Sequence, residues 1–410
     1  MTLILFRNGR VLDVIGGQTI AGREVLVDGA TIVEVSDRPI QSPDARVIDL
    51  KGRTLMPGLI DAHAHAIAID VDLGHLPAIP VSLVAHEAGA MLRAMLDRGF
   101  TTIRDAGGAD KGLATAVEKD LIQGPRMFIA GKALSQTGGH GDGRSVTTEV
   151  GTCACTQAGA DLSRIADGVT EVRRAARDEL RKGANQIKIM ASGGVSSPND
   201  PIWNLQYSEE EVRAIVEEAA AWRTYVMAHA YTPESIHRSI RFGVRSIEHA
   251  NLIDAETAAF ATKHGAFVVP TLATYDAMEN FGTKVGLPAT SLAKLSDVSK
   301  AGRQSLEILA QAGTKTGFGT DLLGVLQTYQ CDEFRIRADV LPPAEILRQA
   351  TINNAELIKM TGRLGVIATG AIADLLIVNG DPLANLALLE GQGENLSLIM
   401  KAGRIYREIS

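Results

Sequence analysis

The sequence predicts an α/β chain: a (β/α)8 TIM barrel over residues 57–360, flanked by a small β-sandwich built from both chain termini, residues 1–56 and 361–410. Three observations predict it. Helical and strand patterns alternate through the middle of the chain, which argues for a parallel sheet. His63, His65, Lys188, His229, His249 and Asp321, all able to bind or bridge metal, each lie near the C-terminal end of a strand-like run. Both chain ends read as short strands joined by turns, and neither end closes a core alone.

The first strands are Leu3 to Phe6, Val11 to Val14, Arg23 to Val27, Ile32 to Val35 and Arg46 to Leu50, with turns at Asn8-Gly9, Gly16-Gly17 and Asp28-Gly29. The C-terminal set is Asp374 to Val378, Leu396 to Lys401 and Gly403 to Tyr406. Met56-Pro57-Gly58 leads into the barrel. Ala85 to Arg98 is an amphipathic helix before the strand Thr101 to Arg104. Asp161 to Lys182, Glu209 to Ala221 and Pro233 to Arg241 are helices before the strands of Lys188, His229 and His249. Asn280 to Ala301 is polar and reads as a mobile loop over the barrel mouth.

Spacing supports the barrel. A βα unit needs roughly 30 residues, fewer with a short helix. His229 to His249 spans 20 residues, Lys188 to His229 41, His249 to Asp321 72 and His65 to Lys188 123. These lengths hold one short unit, one generous unit, two units and three. The candidate ligands then fall on strands 1, 4, 5, 6 and 8, and strand 8 closes against strand 1. They surround one mouth, at the face where such barrels carry their sites.

The bulk properties exclude several classes. The chain has 410 residues, 45% hydrophobic and 22% charged, an ordinary globular composition able to bury a large core. A net charge of −7 leaves no basic footprint, so nucleic acid is not expected as a partner. No signal peptide and no apolar run of membrane-spanning length is read, and three cysteines make no disulfide framework. A reducing cytoplasm fits. Cys153-x-Cys155 has metal-ligand spacing but no second pair.

Two histidines separated by one strand residue face the same way, so His63 and His65 can grip one ion. A partly neutral lysine can take up carbon dioxide as a carbamate, and burial near metal favours the neutral amine. Such a carbamate on Lys188 would bridge two ions about 3.5–4 Å apart, with His229 and His249 on the second. Water between them would ionise near pH ~7, and Asp321 would take its proton and pass it to the leaving amine. Zinc is the default metal, with cobalt or manganese accepted by the same donors. Singly, each residue has an ordinary reading: surface or core histidines, a solvated lysine, a helix-capping aspartate. Six such coincidences together do not.

Asp61-Ala62-His63-Ala64-His65, with Lys188, His229, His249 and Asp321, resembles the amidohydrolase superfamily, over nearly the whole chain including the tail Gly370 to Leu375. The stretches Lys188 to Pro198 and Gln136 to Asp142 resemble its imidazolonepropionase-like branch, which includes zinc dipeptidases of the Xaa-Pro and Xaa-Arg/Lys type and amidases that hydrolyse ochratoxin A. The resemblance implies removal of a C-terminal amino acid from an acyl or aminoacyl group, by a homo-oligomer, octamers among them. It also implies substrate roles for His140, which would polarise the scissile carbonyl or hold a carboxylate, and for Tyr231. Arg144 and Arg245 are further carboxylate candidates. Trp203, Leu205, Tyr275 and Leu322 to Leu326 are candidates to line the pocket. Asp200 and Asp332 would answer a basic leaving residue, but an apolar one suits this set better. Gly138, Gly139 and Gly141 lack the Lys-Ser/Thr of a phosphate loop.

Two other classes compete. A deaminase or ring-opening hydrolase of the superfamily resembles the chain less, because those members usually lack the bridging lysine and place a glutamate close after the strand-5 histidine. Here Glu234 comes five residues after His229. A non-enzymatic scaffold on the same fold would have lost ligands, and every ligand type is present.

Overall fold

The computed structural model describes residues 3–144, 160–197 and 200–409. Runs such as Leu59–Ala64, Phe100–Asp105, Val226–Ala230 and Ser246–His249 are buried at every position, the mark of strands covered on both faces. Two parallel sheets result. One joins Arg126–Ile129, Phe100–Asp105 and Leu59–Ala64. The other runs in the order Ser163–Ile165, Ala133–Ser135, Ile187–Met190, Val226–Ala230, Ser246–His249, Phe267–Val269, Lys315–Thr316. Backbone bonds link the two: Ala62 N to Phe318 O at 2.8 Å, and Asn185 N, just before Ile187–Met190, to Ile129 O at 2.7 Å. The architecture is therefore α/β with parallel sheets.

The chain ends build two further sheets. Leu3–Arg7, Glu24–Asp28, Thr31–Ser36 and Arg46–Asp49 form a four-stranded one. The six-stranded one mixes both ends, in the order Arg404–Glu408, Leu396–Lys401, Leu375–Val378, Thr54–Pro57, Arg10–Asp13, Gln18–Ala21. Ile4, Phe6, Val25, Leu55, Leu375 and Leu398 pack in one core shared by strands of the two. Met56-Pro57 thus belongs to a terminal sheet, where Pro57 opposes Leu375, rather than to a connection into the parallel strands. Gly58 follows because a Cβ there would lie 2.1 Å from Thr101 Oγ1.

Glu209–Ala221 and Pro233–Arg241 are helices as expected, each opened by a capping box. Two expectations fail. The predicted helix from Asp161 is a strand, Ser163–Ile165, and the helix starts only at Gly168 (φ 77°), whose left-handed backbone breaks the run. Asn280 to Ala301 is not a loop: it is shared by the helices Leu272–Val285 and Ala289–Gln311, joined through Gly286 (φ 86°). Asn280, Thr283, Lys284, Thr290 and Lys300 are exposed, while Leu287, Ser291, Leu295 and Val298 are buried. Among the described residues no helix is long and apolar enough to cross a membrane. Cys331 is a buried free thiol, and Cys153 and Cys155 lie outside the described residues.

Candidate metal centre and substrate cavity

Two strand ends meet at Asp321. Its Oδ1 is 3.1 Å from His65 Nε2 and 3.3 Å from His63 Nε2, and its Oδ2 is 3.8 Å from His249 Nδ1. The His249 ring lies 4.8 Å from that of His63 and 4.6 Å from that of His229. Lys188, 2% exposed, lines the same cavity. Asp321 (φ 55°) and His249 (φ 74°) hold left-handed backbone. Strain of this kind costs about 1–3 kcal/mol per residue and clusters at working sites.

One nitrogen of each ring also meets a protein group beyond Asp321. His63 Nδ1 is 2.7 Å from Glu248 Oε2, and His65 Nδ1 is 3.1 Å from Gly107 O. His249 Nδ1 is 2.8 Å from Thr271 Oγ1, and His229 Nε2 is 3.1 Å from Gly193 O. Asp61 receives the His63 amide, the Thr320 hydroxyl and Gln330 Nε2, which fixes the strand end that carries both histidines.

Electrostatics suit a cation. Burial brings the Lys188 ammonium down to about 8, against the pull of Glu248 and Asp321, so a neutral amine is accessible. Burial also drives His229 and His249 well below the usual histidine range, leaving neutral rings. Burial would raise the Asp321 carboxyl, but His63, His65 and His249 outweigh it and hold it well below the usual range. The donor set fits a metal: His63, His249 and Asp321 offer ligand atoms within 4.8 Å of one another, and His63 Nε2 is a buried nitrogen with no hydrogen-bond partner.

Above these residues lies a cavity of about 560 Å³, the size of ordinary small-molecule sites. His140 and Tyr231 both line it. His140 sits in the Gly-rich loop beyond the strand Ala133–Ser135 and stacks on His229 with centroids 4.2 Å apart. Ser197 Oγ is 2.9 Å from His140 Nδ1, with Asp200 Oδ2 at 3.5 Å. Lys294, from the second helix of the hairpin, donates to the carbonyls of Gly194, Ser197 and Asp200, and so ties that helix to the loop behind His140. The Tyr231 hydroxyl meets that of Tyr275 at 2.7 Å.

A Cβ at Gly194 would lie 2.3 Å from His140 Cε1 and 2.6 Å from its Nε2. Gly194→Ala is expected to displace this ring and lower kcat/KM by about 10²-fold, the cost of a misplacement near 1 Å. Unchanged kcat/KM with an unchanged circular dichroism spectrum would remove His140 from the substrate's path.

Several candidates lie elsewhere. Arg245 precedes the strand Ser246–His249, at the end opposite His249, where it donates to Glu356 O and covers Tyr225 and Phe267. Arg144 binds Asp142. Trp203 is 74% exposed, Leu205 bridges Ser192, and only Tyr275 and Leu323 of the proposed pocket set line the cavity. Asp200 is buried against Gln206 and His140, and Asp332 pairs with Arg335. Sequence reasoning missed Glu248, Arg104, Thr271 and Lys294. For Arg104 and Glu248 the one signal was a charged residue beside a branched aliphatic one in a short strand.

Residues 54–405 match the amidohydrolase family. A solved prolidase in complex with N-methylphosphonate-L-proline is 51% identical, with each chain covered over 100% and a TM-score of 0.98. Ochratoxinase of Aspergillus niger is 31% identical over 369 residues, 86% of this chain and 75% of that protein. Imidazolonepropionase of Deinococcus radiodurans is 26% identical over 411 residues, 92% and 90% of the two chains. The chain therefore belongs to the amidohydrolase family, a generally metal-dependent group, and within it to the imidazolonepropionase-like branch.

Proposed function

We propose that the protein is a metal-dependent hydrolase that cleaves the amide bond to a C-terminal amino acid, in a dipeptide or an N-acyl amino acid such as ochratoxin A. We further propose that its parallel strands form a closed (β/α)8 barrel over residues 57–360, with residues 1–56 and 361–410 as a composite sandwich. The observation that carries the functional reading is the convergence of His63, His65, Lys188, His229, His249 and Asp321 on the floor of one cavity. Two zinc ions there, with Lys188 as a carbamate, would supply Lewis acidity and activate water at neutral pH.

The chain's own residues account for the rest. Asp321 accepts a proton from the attacking water at its carboxylate and delivers it to the leaving nitrogen. His140 donates to the scissile carbonyl oxygen as charge develops there. The Tyr231–Tyr275 hydroxyl pair is placed to meet the substrate carboxylate, since the described lining includes no arginine. Leu73, Leu162, Met190, Val195, Met278 and Leu323 exclude water and suit an apolar leaving residue such as proline.

Amino-acid release from a panel of dipeptides and N-acyl amino acids, ochratoxin A included, tests the reading on zinc-loaded enzyme in bicarbonate buffer. Release of an apolar C-terminal residue is expected. Silence across the panel with two metals bound would replace it by a cyclic amide or lactone substrate.

A further inference from the structure

Two opposite charges occupy a strand interior that ordinarily holds branched aliphatic side chains. Arg104, in Phe100–Asp105, and Glu248, in Ser246–His249, are each 0% exposed. Arg104 Nη2 reaches both oxygens of Glu248, at 2.9 and 2.8 Å. Its Nη1 donates to Ser246 Oγ at 3.1 Å, and Ser246 Oγ donates to Glu248 Oε1 at 2.5 Å. Its Nε donates to the carbonyl of Ala62, the residue before His63, at 2.5 Å. The remaining capacity of Glu248 Oε2 goes to His63 Nδ1.

We propose that Glu248 and Arg104 are positioning residues that set the tautomer and ring direction of His63 for metal binding. A carboxylate gripped by a guanidinium only accepts hydrogen bonds, so the proton of His63 must sit on Nδ1. The lone pair is then on Nε2, the buried nitrogen that faces Asp321 at 3.3 Å. The fork of Arg104 holds Glu248 rigidly, and the same guanidinium fixes the backbone just before His63. A purely structural role explains the network poorly, because apolar residues of equal volume usually stabilise an interior as well as a buried ion pair. The strand Ser246–His249 thus contributes twice, through the ligand His249 and through the partner of His63.

The inference rests on the metal reading above, and the test separates the two. Apoprotein is titrated with Co2+ alone, following bound metal by elemental analysis and the ligand-field spectrum. Glu248→Gln and Arg104→Met are expected to weaken one ion about 10–100-fold, the usual loss when an outer partner of a ligand is removed, with a changed spectrum for that ion only and an unchanged circular dichroism spectrum. Wild-type protein that binds no Co2+ would sink the metal reading itself. Two ions bound by wild type, with the same affinities and spectrum in both variants, would overturn the positioning role. If the variants do not fold, the imidazole 1H–15N spectrum of the zinc-loaded wild type decides: a proton on His63 Nδ1 is expected, and one on Nε2 overturns the proposal.

Discussion

Asp321→Asn is expected to lose turnover by about 10²–10⁴-fold, the usual contribution of a positioned proton acceptor, while retaining most of the bound metal. That loss corresponds to about 3–5 kcal/mol of barrier. The asymmetry between activity and metal follows from shape. Asparagine keeps one oxygen towards His63 and His65, and it tolerates the left-handed backbone at φ 55° as few residues do. The amide nitrogen cannot accept a proton, so the transfer from water to leaving nitrogen fails. Elemental analysis beside steady-state kinetics checks it. Normal turnover would remove the proton-shuttle role.

Lys188→Ala is expected to lose metal and activity together, by more than about 100-fold, since even residues behind the ligands are worth about 10–100-fold. Lys188 is buried between Glu248, Asp321 and Arg104, and no neighbouring side chain can replace a bridging carbamate at that point. The vacated space would admit a short-chain carboxylate, so added acetate or propionate should restore part of both signals. Full activity in Lys188→Ala without additives would sink the carbamate assignment. Metal analysis, activity and mass spectrometry of the intact protein in bicarbonate give independent readings.

The candidate ligand residues were legible in the sequence because each lies in or at the end of a short strand-like run, and strand ends are where such a fold exposes side chains to a common mouth. Lengths between them were legible because a βα unit has a minimum size. The failures also have physical causes. Arg245 looked close to His249, but strand direction puts the two at opposite ends. Asn280 to Ala301 looked like a loop because its buried residues are sparse, and packing against the preceding helix was invisible in one dimension. Arg104 and Glu248 went unnoticed because a charged residue in a strand usually faces solvent. Only the folded chain brings them together, from strands that are not paired with each other.

The six-stranded sheet that mixes both chain ends has a consequence for synthesis. Thr19 bonds Asp381 across 362 residues, and Thr54–Pro57 pairs with Leu375–Val378. At ribosomal speeds of about 5–20 residues per second, those partners emerge roughly 20–70 s apart. Through that interval Thr54–Pro57, with Leu55 and Met56 at 0% exposure in the finished fold, has one open edge, the kind of strand most apt to pair with a neighbouring nascent chain. Chaperone cover during translation would shield that edge until Leu375–Val378 emerges and closes it.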